Sequence, residues 1–413
     1  MMVALKRREW QSAQAIQIHQ EHKLRRILAM ASTLPYYRGL FKTRHINPAS
    51  VSRETLPRLP ILTKAIIRQH FPEDYFRQIP QKKFSYWYTA GSTGTPFMIV
   101  TGSKEDVMSQ TLFRYACGKA GLRTTDTLCY FLLEPENTFA KTSFQKLGIG
   151  RHYTLNLRNR IAYNIERVRT LKPQVLFSFP SYLALVANYV QECRIDLPFL
   201  RLILTGGEVL TSDTRHVIQA ALAPVRDTYG SVEFSRLAYE CEHERMHLIP
   251  DAAIVEVDNP DEHGVGHALI TSLYHETMPL IRYDIGDRLK VSDAPCRCGV
   301  PFDTIEYIEG RCNDFLVLPS GRRISWRSII RFRDIPGIVE YQIIQKTPDY
   351  FEAHIQKNHN FTNDSAEQIR ESIRTGCLGE KVSIDIVFEE TLTRGRTGKL
   401  RAVISEVVTQ DSS

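Results

Sequence analysis

Leu202-Ile203-Leu204-Thr205-Gly206-Gly207-Glu208 opens on three aliphatic residues and closes on two glycines and a carboxylate. The aliphatic residues read as a buried strand, and the glycines as the turn at its end, where open α/β sheets bind ligands. A helix over Ser212 to Leu222 follows. The same unit occurs just upstream, with a strand at Val175 to Phe179 and a helix at Tyr182 to Gln191. One step further out, Leu128 to Leu133 reads as a strand and Ala162 to Leu171 as a helix. This repetition predicts parallel sheets with helices on their faces.

Towards the N-terminus, Glu9 to Ala31 has helix-forming composition, with Ile16, Leu24, Ile27 and Leu28 on one stripe. Leu34-Pro35-Tyr36-Tyr37 ends that helix, because a residue before proline avoids the α region. Leu59-Pro60-Ile61-Leu62-Thr63-Lys64 is a turn into another. Towards the C-terminus, Ile254 to Val257 and His267 to Leu273 add strands without intervening helices. After Gly310 the pattern changes to strands at Phe315 to Leu318, Tyr341 to Ile344 and Phe351 to Ile355. A charged helix, Asp364 to Arg374, and an alternating strand, Val382 to Phe388, complete it. The expected architecture is α/β: a large domain over 1–310, its sheets flanked by helices, and a small α+β domain over 311–413.

Apolar residues make up 43% of the 413 and charged ones 24%, which excludes a disordered or fibrous chain. The formal charge of +7 suits an acidic partner such as a nucleotide, coenzyme A or an acyl carrier protein, and does not call for nucleic acid. Two stretches lack charge, 84–103 and 173–191, and are long enough to be membrane-span candidates. Their glycines, prolines and hydroxyl residues instead fit uncharged segments entering a buried site, so no span is expected. The start, MMVALKRREWQ, has no apolar signal region. The eight cysteines therefore read as reduced, in a cytoplasmic protein, with close ones as metal-ligand candidates.

Thr89-Ala90-Gly91-Ser92-Thr93-Gly94-Thr95-Pro96 is a loop of small residues whose N–H groups and hydroxyls can approach phosphate oxygens. It is neither a Walker A loop nor a dinucleotide fingerprint. Tyr229-Gly230-Ser231-Val232-Glu233 supplies an aromatic face, a tight turn and a carboxylate. Ile281-Arg282-Tyr283-Asp284-Ile285-Gly286-Asp287 supplies another carboxylate at a turn, and Arg394-Gly395-Arg396-Thr397-Gly398-Lys399 is a basic loop. Each segment alone has a simpler reading as core, cap or solvated loop; together, in this order, they favour a nucleotide site.

In that order the segments resemble the adenylate-forming superfamily of acyl-CoA synthetases, luciferases and peptide-synthetase adenylation domains. Leu59 to Lys64 and Pro35-Tyr36-Tyr37-Arg38 narrow the resemblance to the branch of phenylacetate–coenzyme A ligase, coenzyme F390 synthetase and CapK proteins. It covers about residues 24 to 405 and implies the adenylate-forming enzyme fold, with a mobile C-terminal domain. It implies that Thr89, Ser92, Thr93 and Gly94 cradle the ATP phosphates, although family members often have Lys where this chain has Thr95. Gly207 and Glu208 would line the adenine pocket, with Tyr229 of the Tyr229-Gly230 turn against the base. Glu233 would hold Mg²⁺, Asp287 would accept from the ribose hydroxyls, and Arg311 would lie near the ribose. Asn313 stands at the hinge position, where the family has Asp, and Lys399 matches the catalytic lysine.

Cys241 and His247, with five residues between them, precede Cys296-Arg297-Cys298-Gly299. Three thiolates and an imidazole would form a closed tetrahedral site suited to structural Zn²⁺. The same branch often shows such an arrangement. His243 and Cys312 are rival ligands.

The implied activity is ATP-dependent activation of a small carboxylic acid as acyl-AMP, with pyrophosphate released, then transfer to a thiol of coenzyme A or an acyl carrier protein. Phe177, Phe179, Pro180, Ser181 and Tyr182 hint at an aromatic or apolar acid. The alternatives are AMP transfer to a hydroxyl-bearing cofactor, as in F390 synthetase, and a degenerate nucleotide-binding module. A homodimer is compatible with either.

Overall fold

A computed structural model of the chain describes residues 1–71, 84–88, 98–132, 136, 145, 147–157, 159–311, 315–325, 329, 332, 335–394 and 400–407; of 311, 315, 323 and 325 only the backbone is described. Two compact units are present, 1–124 with 226–308, and 125–225 with 309–413.

In the second unit, Leu202–Gly206, Val175–Ser178, Leu128–Leu132 and His152–Asn156 lie side by side in that order, each neighbouring pair parallel. The first two are buried along their whole length, which is why they read as continuous apolar runs. His152–Asn156 escaped the sequence reading because its residues His-Tyr-Thr-Leu-Asn contain a single aliphatic side chain. The helices Ile161–Leu171, Pro180–Glu192 and Ser212–Ala221 follow the expected units. Pro180 sits in the first turn, where a missing N–H is not felt. Phe131, Leu155, Leu176, Val186 and Ile203 share one core.

The C-terminal part of this unit is α+β, as expected. Ser383–Phe388, Tyr350–Lys357, Ile338–Thr347 and Val403–Ser405 form one sheet in that order. The helix Asn363–Gly376 begins at a Thr362–Ser365 capping box. It buries Ile369 and Ile373 against Ile343, Phe351 and Ile355. Phe315–Val317 pairs with Arg323–Ser325 as a short hairpin. Residues 125–225 touch this part directly: Asn358 Nδ2 donates to Glu192 Oε1 at 2.9 Å, and Val209 packs on its core.

In the first unit the strands expected without intervening helices at Ile254 to Val257 and His267 to Leu273 belong to an antiparallel set. Ala253–Asp258, Gly266–Ser272 and Tyr283–Ser292 are successive antiparallel neighbours, and Met246–Leu248 pairs antiparallel with Ala238–Glu240 and with Thr304–Arg311. Short connections such as 259–265 cannot carry a parallel crossover. The uncharged stretch 84–103 contains two antiparallel strands, Phe84–Tyr88 and Met98–Gly102, and 173–191 is a buried strand and helix. No helix among the described residues is long and apolar enough to cross a membrane.

The N-terminal helix expected over Glu9 to Ala31 spans Ala13–Ala31, and a separate helix, Met2–Arg8, precedes it. Ser12 sets the later start by taking extended backbone and accepting from Ala15 N, an N-cap. Pro35 follows the second helix and also opens a third, Pro35–Thr43. Thr63 caps Lys64–His70, as the turn at Leu59 to Lys64 suggested. Leu62 extends that turn onto Tyr283, its N–H donating to Arg282 O and its carbonyl accepting from Asp284 N, each at 3.0 Å.

Asp251 ties these helices to the antiparallel strands. Its buried carboxylate meets His19 Nε2 at 2.9 Å, Arg8 Nε at 3.2 Å and Lys23 Nζ at 3.3 Å. Burial alone would raise its pKa, but the His19 hydrogen bond and the Lys23 and Arg8 charges outweigh it and hold it at about 2, below the ordinary 3.8. The folded carboxyl thus binds its proton later than the unfolded one on acidification. The stabilisation is present above the unfolded value and is lost as pH falls through about 2. Asp251→Asn should cost about 2 kcal/mol at neutral pH and flatten the acid limb of stability. Urea unfolding at pH 7 and in the acid range checks this; equal losses at both would refute it.

Candidate active site

Tyr229 ends the strand Val225–Tyr229, and its hydroxyl donates to Asp287 Oδ2 at 2.8 Å. Two residues expected to bind base and ribose are therefore joined across 58 positions of sequence. Gly230 follows for a steric reason: a Cβ there would lie 1.9 Å from the Ser235 carbonyl oxygen. The backbone passes too close for any side chain. Glu233 is buried, and its Oε1 accepts from Tyr283 OH at 3.0 Å. Tyr283, fully buried and packed on Phe234, was not singled out by the sequence reading. Its place beside Asp284 and Asp287 in the quoted turn was the available signal.

Asp287 lies in the strand Tyr283–Ser292 and not in the turn expected for Ile281 to Asp287, and Arg282 holds the start of that strand. It has φ 49° and is buried; its Nε donates to Glu256 Oε1 at 3.0 Å and its guanidinium also reaches the Leu59 carbonyl. A non-glycine residue in the left-handed region costs of order 1 kcal/mol or more, which these bonds offset.

In the other unit, the strand Leu202–Gly206 ends in Gly207, whose φ of 83° suits glycine. The Glu208 carboxylate that follows accepts from Ser181 N at 3.1 Å, Ser181 Oγ at 3.2 Å and Leu400 N at 3.0 Å. Ser181 is in the first turn of the helix Pro180–Glu192, where unpaired N–H groups favour a carboxylate. Among the expected site residues, Thr89, Ser92, Thr93, Gly94, Asn313 and Lys399 lie outside the described residues, as does the side chain of Arg311. The strands on either side of the glycine-rich loop pair in register from Phe84↔Gly102 to Tyr88↔Met98.

Cys241, His247, Cys296 and Cys298 converge in the first unit, their ligand atoms all within 4.8 Å of one another. Cys241 Sγ lies 3.7 Å from Cys296 Sγ, and Cys298 Sγ lies 3.2 Å from His247 Nε2. Bonds of about 2.3 Å to a tetrahedral centre put two sulfurs about 3.75 Å apart, so this donor set fits zinc. Cys241 and the Cys296–Cys298 pair each sit on a tight turn. Glu244 N donates to Cys241 O at φ 56°, and Gly299 N donates to Cys296 O at φ 77°. Burial pushes His247 down to about 4 against a backbone contact with Phe302, so its ring is neutral, as a ligand must be. Tyr239 stacks on that ring. The rival His243 is not in the group, and Cys312 lies outside the described residues.

No family model matches the chain. It is 26% identical to the phenylacetate-coenzyme A ligase of Thermus thermophilus, over 93% of this chain and 95% of that one. Protein CapK of Staphylococcus aureus is 21% identical over 76% of this chain and 72% of its own. Among solved structures, 2-hydroxyisobutyryl-CoA ligase in the postadenylation state with 2-HIB-AMP matches with a TM-score of 0.79. That match has 19% identity and covers 97% of this chain and 92% of that one. An anthranilate CoA ligase in complex with anthranoyl-AMP matches at 0.58, with 17% identity over 77% and 65%. The fold is that expected from the order of the motifs.

Proposed function

We propose that this chain, which belongs to the adenylate-forming superfamily in the branch of phenylacetate–coenzyme A ligases and CapK, activates a small carboxylic acid with ATP and passes it to coenzyme A as a thioester. The observation that carries this reading is the Tyr229–Asp287 hydrogen bond with buried Glu233 four residues on, which puts an aromatic ring and two carboxylates on one framework. In the first half-reaction a carboxylate oxygen of the acid attacks the ATP α-phosphorus. The bond from that phosphorus to the bridging oxygen breaks, and pyrophosphate leaves. In the second, the thiolate attacks the acyl carbon and AMP leaves.

The roles follow the motifs. Thr89, Ser92, Thr93 and Gly94 hold phosphate oxygens by N–H groups and hydroxyls. Gly207 and Glu208 line the adenine pocket through their backbone, since the Glu208 carboxylate is engaged by Ser181 and Leu400. Tyr229 faces the base, and Asp287 and Arg311 bind the ribose. Lys399 neutralises charge on the substrate and α-phosphate oxygens. Asn313, at the proposed boundary between 1–310 and 311–413, tolerates the backbone swing of a hinge. Glu233 would hold Mg²⁺, whose charge favours pyrophosphate as leaving group. Cys241, His247, Cys296 and Cys298 would hold one Zn²⁺ with a structural role, because four protein donors leave no position for water. Such a site needs reduced thiols, which agrees with a cytoplasmic enzyme.

Acid-dependent pyrophosphate release across a panel of aromatic and aliphatic acids tests the activity. Coenzyme A is the expected acceptor; turnover only with an acyl carrier protein, or a stable nucleotidylated product, would replace that half of the proposal. Glu233→Gln should lower pyrophosphate release by roughly 10²-fold or more while the melting temperature stays near that of the parent. A melting temperature that collapses with activity would assign Glu233 to the core instead.

A further inference from the structure

The chain on either side of 395–399 is held by one cluster of side chains. Arg394 reaches the Glu340 carboxylate with one guanidinium nitrogen and donates to Ser181 Oγ at 3.2 Å with the other. Leu400 N donates to Glu208 Oε1 at 3.0 Å, and Ser181 donates to the same carboxylate through both N and Oγ. The cluster joins the helix Pro180–Glu192, the turn after Leu202–Gly206 and the strand Ile338–Thr347 within one compact unit. Glu340 is 8% exposed, and its burial pushes its carboxyl up to about 7 against the pull of Arg394. A buried pair of this kind is worth little against an apolar replacement, yet removing one partner leaves the other stranded. It specifies an arrangement more than it adds stability.

We propose that Glu340, Ser181 and Glu208 are positioning residues that seat Arg394 and Leu400, and so restrict Lys399 between them for the adenylate-forming half-reaction. This rests on the proposed ligase reaction. The two anchors bracket Lys399 at distances of five residues and one. Fixing both ends of so short a segment restricts where its lysine can go, and misplacement by about 1 Å can cost of order 10²-fold in rate.

The test compares Glu340→Gln and Ser181→Ala with the parent enzyme by three readouts. These are acid-dependent ATP–pyrophosphate exchange, coenzyme A thioester formation from a chemically made acyl-adenylate, and trypsin cleavage after Arg394, Arg396 and Lys399. Both variants keep all three cleavage sites. Exchange should fall about 10-fold or more while transfer from the supplied adenylate stays within about 2-fold, the mark of an interaction used in one half-reaction only. Trypsin should cut the segment several-fold faster at an unchanged melting temperature. Glu340→Asp, which keeps the charge, should recover part of the exchange rate. Equal losses in both half-reactions, or unchanged cleavage, would overturn the proposal. Parent enzyme that exchanges with no acid would count against the ligase reading, while the cleavage comparison would still decide the clamp. Should Glu340→Gln fail to fold, Ser181→Ala, which removes one neutral hydroxyl, decides by the same readouts.

Discussion

Lys399→Ala is expected to slow adenylate formation by roughly 10²–10³-fold, the loss that follows removal of one preorganised group facing developing charge. The motivation is Thr397-Gly398-Lys399, placed late in the chain between the anchored residues Arg394 and Leu400. In the first half-reaction two like charges, the carboxylate of the acid and the α-phosphate, must be brought together, whereas a supplied acyl-adenylate has already joined them. Transfer of a supplied acyl-adenylate to the thiol should therefore run near the parent rate. Hydroxylamine trapping of acyl-AMP measures the first step alone, and near-normal trapping by the variant would remove Lys399 from the mechanism. Lys399→Arg should restore little, since the planar guanidinium cannot stand in for a compact ammonium at a fitted site.

Cys298→Ser is expected to strip one zinc per chain and to destabilise the fold. Apparent binding energies of structural zinc in small peptides reach about 10–16 kcal/mol, and part of that is folding energy. Here the ion would join the turn at Cys241 to the turn at Cys296 and Cys298, 55 residues apart in sequence. The first turn follows Glu233 by eight residues, and the second follows Asp287 by nine. Loosening either turn should raise KM for ATP before it abolishes chemistry. Elemental analysis beside thermal unfolding, with and without chelator, reads both effects. Metal-free protein with parent melting and activity would exclude the site.

The parallel half of the molecule was legible because its strands are buried on both faces, and such strands announce themselves as apolar runs. Val175–Ser178 matches the strand read at Val175 to Phe179 to within a residue, and Leu202–Gly206 runs two residues past the aliphatic stretch Leu202 to Leu204. His152–Asn156 was missed because neighbours, not composition, make it a strand. The N-terminal helix was read four residues too long because helix-forming composition runs straight through Ser12, whose N-cap bond sets the start at Ala13. The Cys₃His cluster was legible from ligand type and spacing, as few residue types can bind a soft cation.

What the sequence determined by itself is local: which segments are helix or strand, where the turns must be glycine, and which residue types could hold phosphate, ribose or metal. Each of these depends on a few neighbouring side chains. What only the tertiary structure decided is which of those residues answer to one another. Tyr229 hydrogen-bonds Asp287 across 58 positions, Tyr283 reaches Glu233 across 50, and Arg394 reaches Ser181 across 213. No periodicity or motif encodes such pairs. They follow from strand register and from where helix N-termini come to rest, and those are settled by burial of the whole core. A carboxylate such as Glu208, read as part of a binding pocket, thus proves to be bonded to the backbone of Leu400, 192 residues away, once the chain is folded.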